Sequence, residues 1–142
     1  MLNMKEYKIY SISLSTIVHA TEDKEKVKSA IFNIIPRNLV NKFTINEVNV
    51  KGHYGNPITI LNLEINNPDI ANEIFEFIIK SISKEELTLI KNNPSLYCDD
   101  RSIFLRIDKQ YAYLGTIRLS FLDDVIKIKI NVLNPLVLLS KL

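Results

Sequence analysis

Two histidines, one cysteine and a scatter of aspartates are the residues of this chain with the chemistry to hold a metal or move a proton. A zinc centre would need His19 and His53 joined by further ligands at a fixed distance, and their spacing supplies none. They read as a strand-end and a loop histidine engaged in hydrogen bonds. Cys98 stands directly before Asp99 and Asp100, whose negative charge raises a thiol's pKa and suppresses the reactive thiolate. Together with Asp108, Asp123 and Asp124 those acids are numerous enough for a metal-dependent nuclease, in which paired ions stabilise the attacking and leaving oxygens. No motif ties them together: Asp123-Asp124 reads as a turn and Asp99-Asp100 as a solvated loop. The chain is therefore expected to carry no catalytic residue, no metal and no cofactor, with the nuclease kept as the second alternative.

The cations suggest a different chemistry. Arg106, Arg118, Lys127 and Lys129 alternate with apolar residues on three strand-like runs, and Lys109 and Tyr111 follow at a turn. Cations attract phosphates and aromatic rings stack unpaired bases, so this mixture suits RNA. A plain solvated face is the competing explanation, because half-buried sheets commonly alternate apolar with charged residues. The net charge of +2 is too small to decide the matter, which rests on distribution.

The elements that would position these residues follow from periodicity. From Tyr7 to His19, Tyr10, Ile12, Leu14 and Val18 share one face at period two, and Ser11, Ser13, Ser15 and His19 the other. Thr21 is placed to cap a helix over Glu22 to Ile34 that Pro36 ends. Lys42 to Lys51 alternates with a phase slip, which a bulge near Asn46 or Glu47 would absorb. Gly52-His53-Tyr54-Gly55-Asn56-Pro57 makes a hairpin loop into a strand over Ile58 to Ile65. That strand changes phase too, through a second bulge or cover on both faces. Asn67-Pro68-Asp69 starts a helix reaching Ser81, and Ser83 with Glu86 has capping-box spacing for a second. Three antiparallel strands centred on Leu105, Leu119 and Ile128 close the chain, with a short helix after Asn134-Pro135.

The order β-α-β-β-α-α-β-β-β predicts an α+β two-layer sandwich, its mixed or largely antiparallel sheet covered by helices on one face. At 142 residues, without a linker or repeat, residues 1–142 read as one domain. One cysteine excludes an internal disulfide and suits a reducing compartment, so a cytoplasmic location is expected. No run reaches the ~18 apolar residues of a membrane span, so no membrane partner is expected. The apolar tail Leu136 to Leu139 leaves a protein-interaction or oligomeric subunit as the first alternative.

Three strings in order, His19-Ala20-Thr21-Glu22-Asp23-Lys24, Gly52 to Ile58, and Arg106-Ile107-Asp108-Lys109-Gln110, carry a family resemblance. They resemble the archaeal RNA-binding domain family labelled predicted exosome subunit, over nearly the whole chain. Members of that family are similar in fold to the ribosomal protein that binds 5S RNA. The resemblance implies a non-catalytic RNA-binding protein, accessory to RNA processing or the exosome, whose partners are RNA and RNA-processing proteins. Tyr111 stands where that family has a smaller residue. The RNA-contacting set expected here is Arg106, Lys109, Arg118, Lys127, Lys129, Tyr111, His19 and His53, with the two histidines on a polar rim at one sheet edge.

Overall fold

The computed structural model of the protein describes residues 8–52 and 54–142. The strands are β1 (Ile9–Val18), β2 (Asn46–Lys51), β3 (Pro57–Ile65), β4 (Ser102–Asp108) and β5 (Val125–Val132). They form one sheet in the order β2-β3-β1-β5-β4, with every pairing antiparallel. The helices are α1 (Lys24–Phe32), α2 (Pro68–Ser81), α3 (Lys84–Asn92), α4 (Lys109–Tyr113) and α5 (Pro135–Ser140). The expected α+β order is thus the observed one. Its middle C-terminal strand is reduced to a single bridge between Leu119 and Ile107 on the free edge of β4.

Burial explains the layering. Leu14 pairs with Leu63 on one side and Ile128 on the other, and Leu105 extends that row, all four fully buried or nearly so. α1 and α2 pack on this face through Val27, Ala30 and Ile31 and through Ile74, Phe75 and Ile78. Fully burying one such side chain contributes roughly 1.5–3 kcal/mol, so the helical layer holds the sheet from one side. Among the described residues no helix is long and apolar enough to cross a membrane.

Local signals set the helix starts. Asn67 Oδ1 accepts from the amides of Asp69 and Ile70 ahead of Pro68 at the first turn, and Ser83 and Glu86 form the reciprocal capping box. α1 departs from expectation: its cap is Asp23, whose carboxylate accepts from Glu25 N at 2.9 Å, while Thr21 lies in the preceding turn. Asp23→Ala is expected to cost about 0.5–2 kcal/mol. Thr21→Ala is expected to cost much less, and urea denaturation of the two variants measures the difference.

Three strand expectations also change. Ile9, not Tyr10, is buried, because the β1–β5 register shifts between Ile9 and Ser11 and turns the side chains over. β2 pairs with β3 without interruption from Asn46 to Lys51, so no bulge absorbs the phase slip. Phe43 and Ile45 simply precede the strand. β3 likewise carries no bulge: Ile58 and Ile60 stand half-buried on the open face beside Val50 and Val48. In the hairpin loop Gly55 adopts φ 77°, whereas Gly52 is needed for close approach, since a Cβ there would lie 3.0 Å from the Asn56 carbonyl oxygen.

α5 divides the apolar tail. Leu138 and Leu139 are fully buried, and Leu136 and Val137 remain about half exposed. The tail is therefore in part a core element.

Candidate nucleic-acid interface

The face of the sheet opposite α1 and α2 is built by strand register, which brings distant residues into rows. One row reads Asn46, Asn62, Ser15, Lys127, Arg106 across all five strands. The next reads Glu64, Ser13, Lys129, Phe104. A third is closed by hydrogen bonds: Ser102 Oγ donates to Asn131 Oδ1, and Asn131 Nδ2 donates to Ser11 Oγ, both at 2.7 Å. The Leu119 bridge adds a partial sixth position. The Asp108 amide donates to the Arg118 carbonyl and the Ser120 amide to the Arg106 carbonyl, setting Arg118 beside Asp108 at the edge of the open face.

Arg106 and Lys127 are direct cross-strand partners. Like charges placed so are destabilising. Arg106 is held by a 2.7 Å bond from Nη2 to the Leu122 carbonyl and has only a loose approach of 3.9 Å to Asp123. An anion lying between the two side chains would remove the repulsion. Lys129 extends the positive charge one row further, with Nζ 5.9 Å from the Phe104 ring centre.

Two of the sequence strings meet at the end of this face. The His19 amide donates to Glu22 Oε1 at 3.0 Å, closing a turn in which the Glu22 amide returns to the His19 carbonyl. Lys109 Nζ reaches Glu22 Oε1 at 3.1 Å, Asp124 Oδ1 at 2.7 Å and the Ile17 carbonyl at 2.8 Å. Its side chain is only 4% exposed. Lys109, expected at a turn among the RNA-contacting residues, is therefore a buried cation and not a solvent-facing one. Asp108 caps α4 by accepting from the Tyr111 amide, and this turns Lys109 inward. Burial pushes the Asp124 carboxyl up, but the Lys109 ammonium, a bond from Gln110 and the nearby His19 outweigh it and hold Asp124 below the ordinary carboxylate range.

His19, Glu22 and Asp124 bring one ligand atom each to within 4.8 Å of one another, the one such group among the described residues. The Lys109 ammonium already bonds both carboxylates, so the protein supplies its own cation there. Beside it lies a depression of about 450 Å³ on the open face, lined by residues including Ser15, Ile17, His19, Ile60, Asp123 and Lys127.

The expected set thus divides. Arg106, Lys127 and Lys129 share the open face, and Arg118 joins them at the edge, its Cζ 4.2 Å from the Tyr111 ring centre. His19 is exposed at the end of β1, on the same end of the sheet as the β2–β3 loop. His53 lies outside the described residues. Cys98 behaves as expected: burial first, then Asp99 and Asp100, raises its thiol. Phe104, outside the expected set, stands two residues before Arg106 on β4 and so shares its face. Phe121, two residues beyond Leu119 in an apolar alternation, is 77% exposed.

A family model described as "RNA binding" matches residues 11–132. An uncharacterized protein of Methanocaldococcus jannaschii is 40% identical over 124 residues, which span 85% of this chain and 83% of that protein. An RNA-binding protein of Pyrococcus abyssi is 34% identical over 125 residues, 87% of this chain and 81% of its own. A crystal structure of a protein from Archaeoglobus fulgidus superposes with a TM-score of 0.76 at 32% identity, covering 87% of this chain and 86% of that one.

Proposed function

This chain belongs to the RNA-binding family, and from that premise we propose that it binds RNA through the open sheet face without altering it chemically. The observation that carries the reading is the opposed pair Arg106–Lys127, a repulsive arrangement in the free protein that a phosphate between the two side chains would relieve. Lys129 on β5 and Arg118 at the free edge of β4 continue the charge to either side of β4. Serine and asparagine side chains of β1, β3 and β2 complete the row with groups that hydrogen-bond phosphate or sugar oxygens. The role is that of an accessory that holds RNA for processing proteins such as the exosome. A nuclease is disfavoured by the use its acids are put to. Asp108 caps a helix, Asp124 pairs with Lys109, and Asp99 Oδ1 accepts from the amides of Arg101 and Ser102.

The test is fluorescence anisotropy with a short unstructured RNA and with a stem-loop, titrated with salt. Each phosphate contact on a single strand contributes about −0.7 to the slope of log affinity against log salt. A slope near zero, or no detectable binding of either RNA at low salt, would count against the reading. RNA that is shortened during incubation with magnesium or manganese would return the nuclease.

A further inference from the structure

We infer that the RNA is engaged as an unpaired strand running along β4, with bases seated on two ring-and-cation pairs, one toward β5 and one at the free edge of β4, that bracket Arg106 and Lys127. This rests on the RNA-binding reading and adds the class of RNA. Phe104 faces Lys129 across the strands one row from the Arg106–Lys127 pair. Tyr111 carries Arg118 one row beyond that pair on its other side. Phe104, Arg106 and Asp108 alternate along β4 at steps of about 6.7 Å, and Arg118 stands opposite Asp108, so a ring-and-cation pair lies to either side of the Arg106–Lys127 pair.

Phe104 on β4 and Tyr111 on α4 are each 42% exposed, at the end of the sheet that carries Arg106, Lys127 and Lys129 and away from the aliphatic residues of β2 and β3. Each can take a base. The Arg118 guanidinium carbon sits 4.2 Å from the Tyr111 ring centre, and its far side can meet a further ring. Lys129 Nζ, 5.9 Å from the Phe104 ring centre and near the Asp99 carboxylate, would uncover the ring on moving to a phosphate. Phe121, beyond Ser120 on the same edge, adds a third exposed ring. A duplex offers no such fit, because its bases are already stacked and its ring faces are covered. A single strand exposes ring faces and phosphates together.

Phe104→Leu and Tyr111→Leu test this, since each keeps an apolar side chain and changes no charge. Each is expected to lower affinity for an unstructured oligoribonucleotide roughly 5- to 150-fold. The slope against salt should stay that of the parent protein, and weak binding to the same sequence annealed to its complement should not change. Two variants at separate elements guard against a folding defect in either, which thermal melting would reveal. Parent protein that binds duplex as tightly as single strand overturns the inference. So do two folded variants that keep full single-strand affinity, and in both cases RNA binding itself stands. Only the absence of any RNA binding by the parent protein removes both.

Discussion

Replacing Lys109 by Met is expected to destabilise the protein by about 3 kcal/mol, the lower end of the range for removing one partner of a buried ion pair. The side chain is nearly sealed from solvent, and its ammonium satisfies Glu22, Asp124 and the Ile17 carbonyl at once. Methionine fills much the same space and leaves two carboxylates facing each other without a cation. Asp124 is 47% exposed, so water repays part of the loss. The pH dependence gives a second check. Lys109 helps hold the Asp124 carboxyl below its ordinary range, so this interaction stabilises the fold above the unfolded carboxylate pKa and is lost as pH falls through the folded one. The deficit of Lys109→Met should therefore shrink in acid, where a protonated Asp124 needs no partner. Urea denaturation at neutral and acidic pH measures both. A deficit well under 1 kcal/mol, constant with pH, would reduce the cluster to an ordinary surface pair.

The same cluster explains part of what could and could not be read in the chain. The starts of α2 and α3 were legible because their caps are local: Asn67 before Pro68, and Ser83 three residues before Glu86. The start of α1 was not. Thr21, Glu22 and Asp23 are all plausible first residues, and Glu22 is drawn instead to an ammonium 87 residues away, leaving Asp23 to cap. A lysine in a polar string reads as surface, and only tertiary packing turns Lys109 into a buried cation. The inward face of β1 failed at Tyr10 for a similar reason, since the irregularity at Ile9 and Ser11 belongs to pairing with β5 near the other end of the chain. At the interface, period two placed Arg106, Lys127 and Lys129 on one face correctly. That Arg106 stands opposite Lys127, and Phe104 opposite Lys129, depends on register and is invisible to periodicity alone.

That register sets the outcome expected from reversing the charge of the interface. In Arg106→Glu with Lys127→Glu, one like-charged pair replaces another at the same cross-strand position, and the buried partners Leu105, Ile107, Ile126 and Ile128 are untouched. Stability should consequently stay close to that of the parent, apart from the lost bond between Arg106 and the Leu122 carbonyl, about 0.5–1.5 kcal/mol. RNA binding should fall at every salt concentration, and removing two phosphate contacts should make the log–log slope shallower by about 1.4. Lys127→Glu alone separates stability from binding more sharply. It sets opposite charges across β4 and β5, which is expected to add roughly 0.2–1 kcal/mol of stability, while still weakening RNA. A variant that melts higher and binds less would mean that the Arg106–Lys127 repulsion is retained for an anion. The control is reversal of Lys80 and Lys84 on α2 and α3, in the helical layer, which should leave the slope unchanged. Equal losses from the sheet and helix reversals would mean that general charge attraction, not the open face, accounts for the binding.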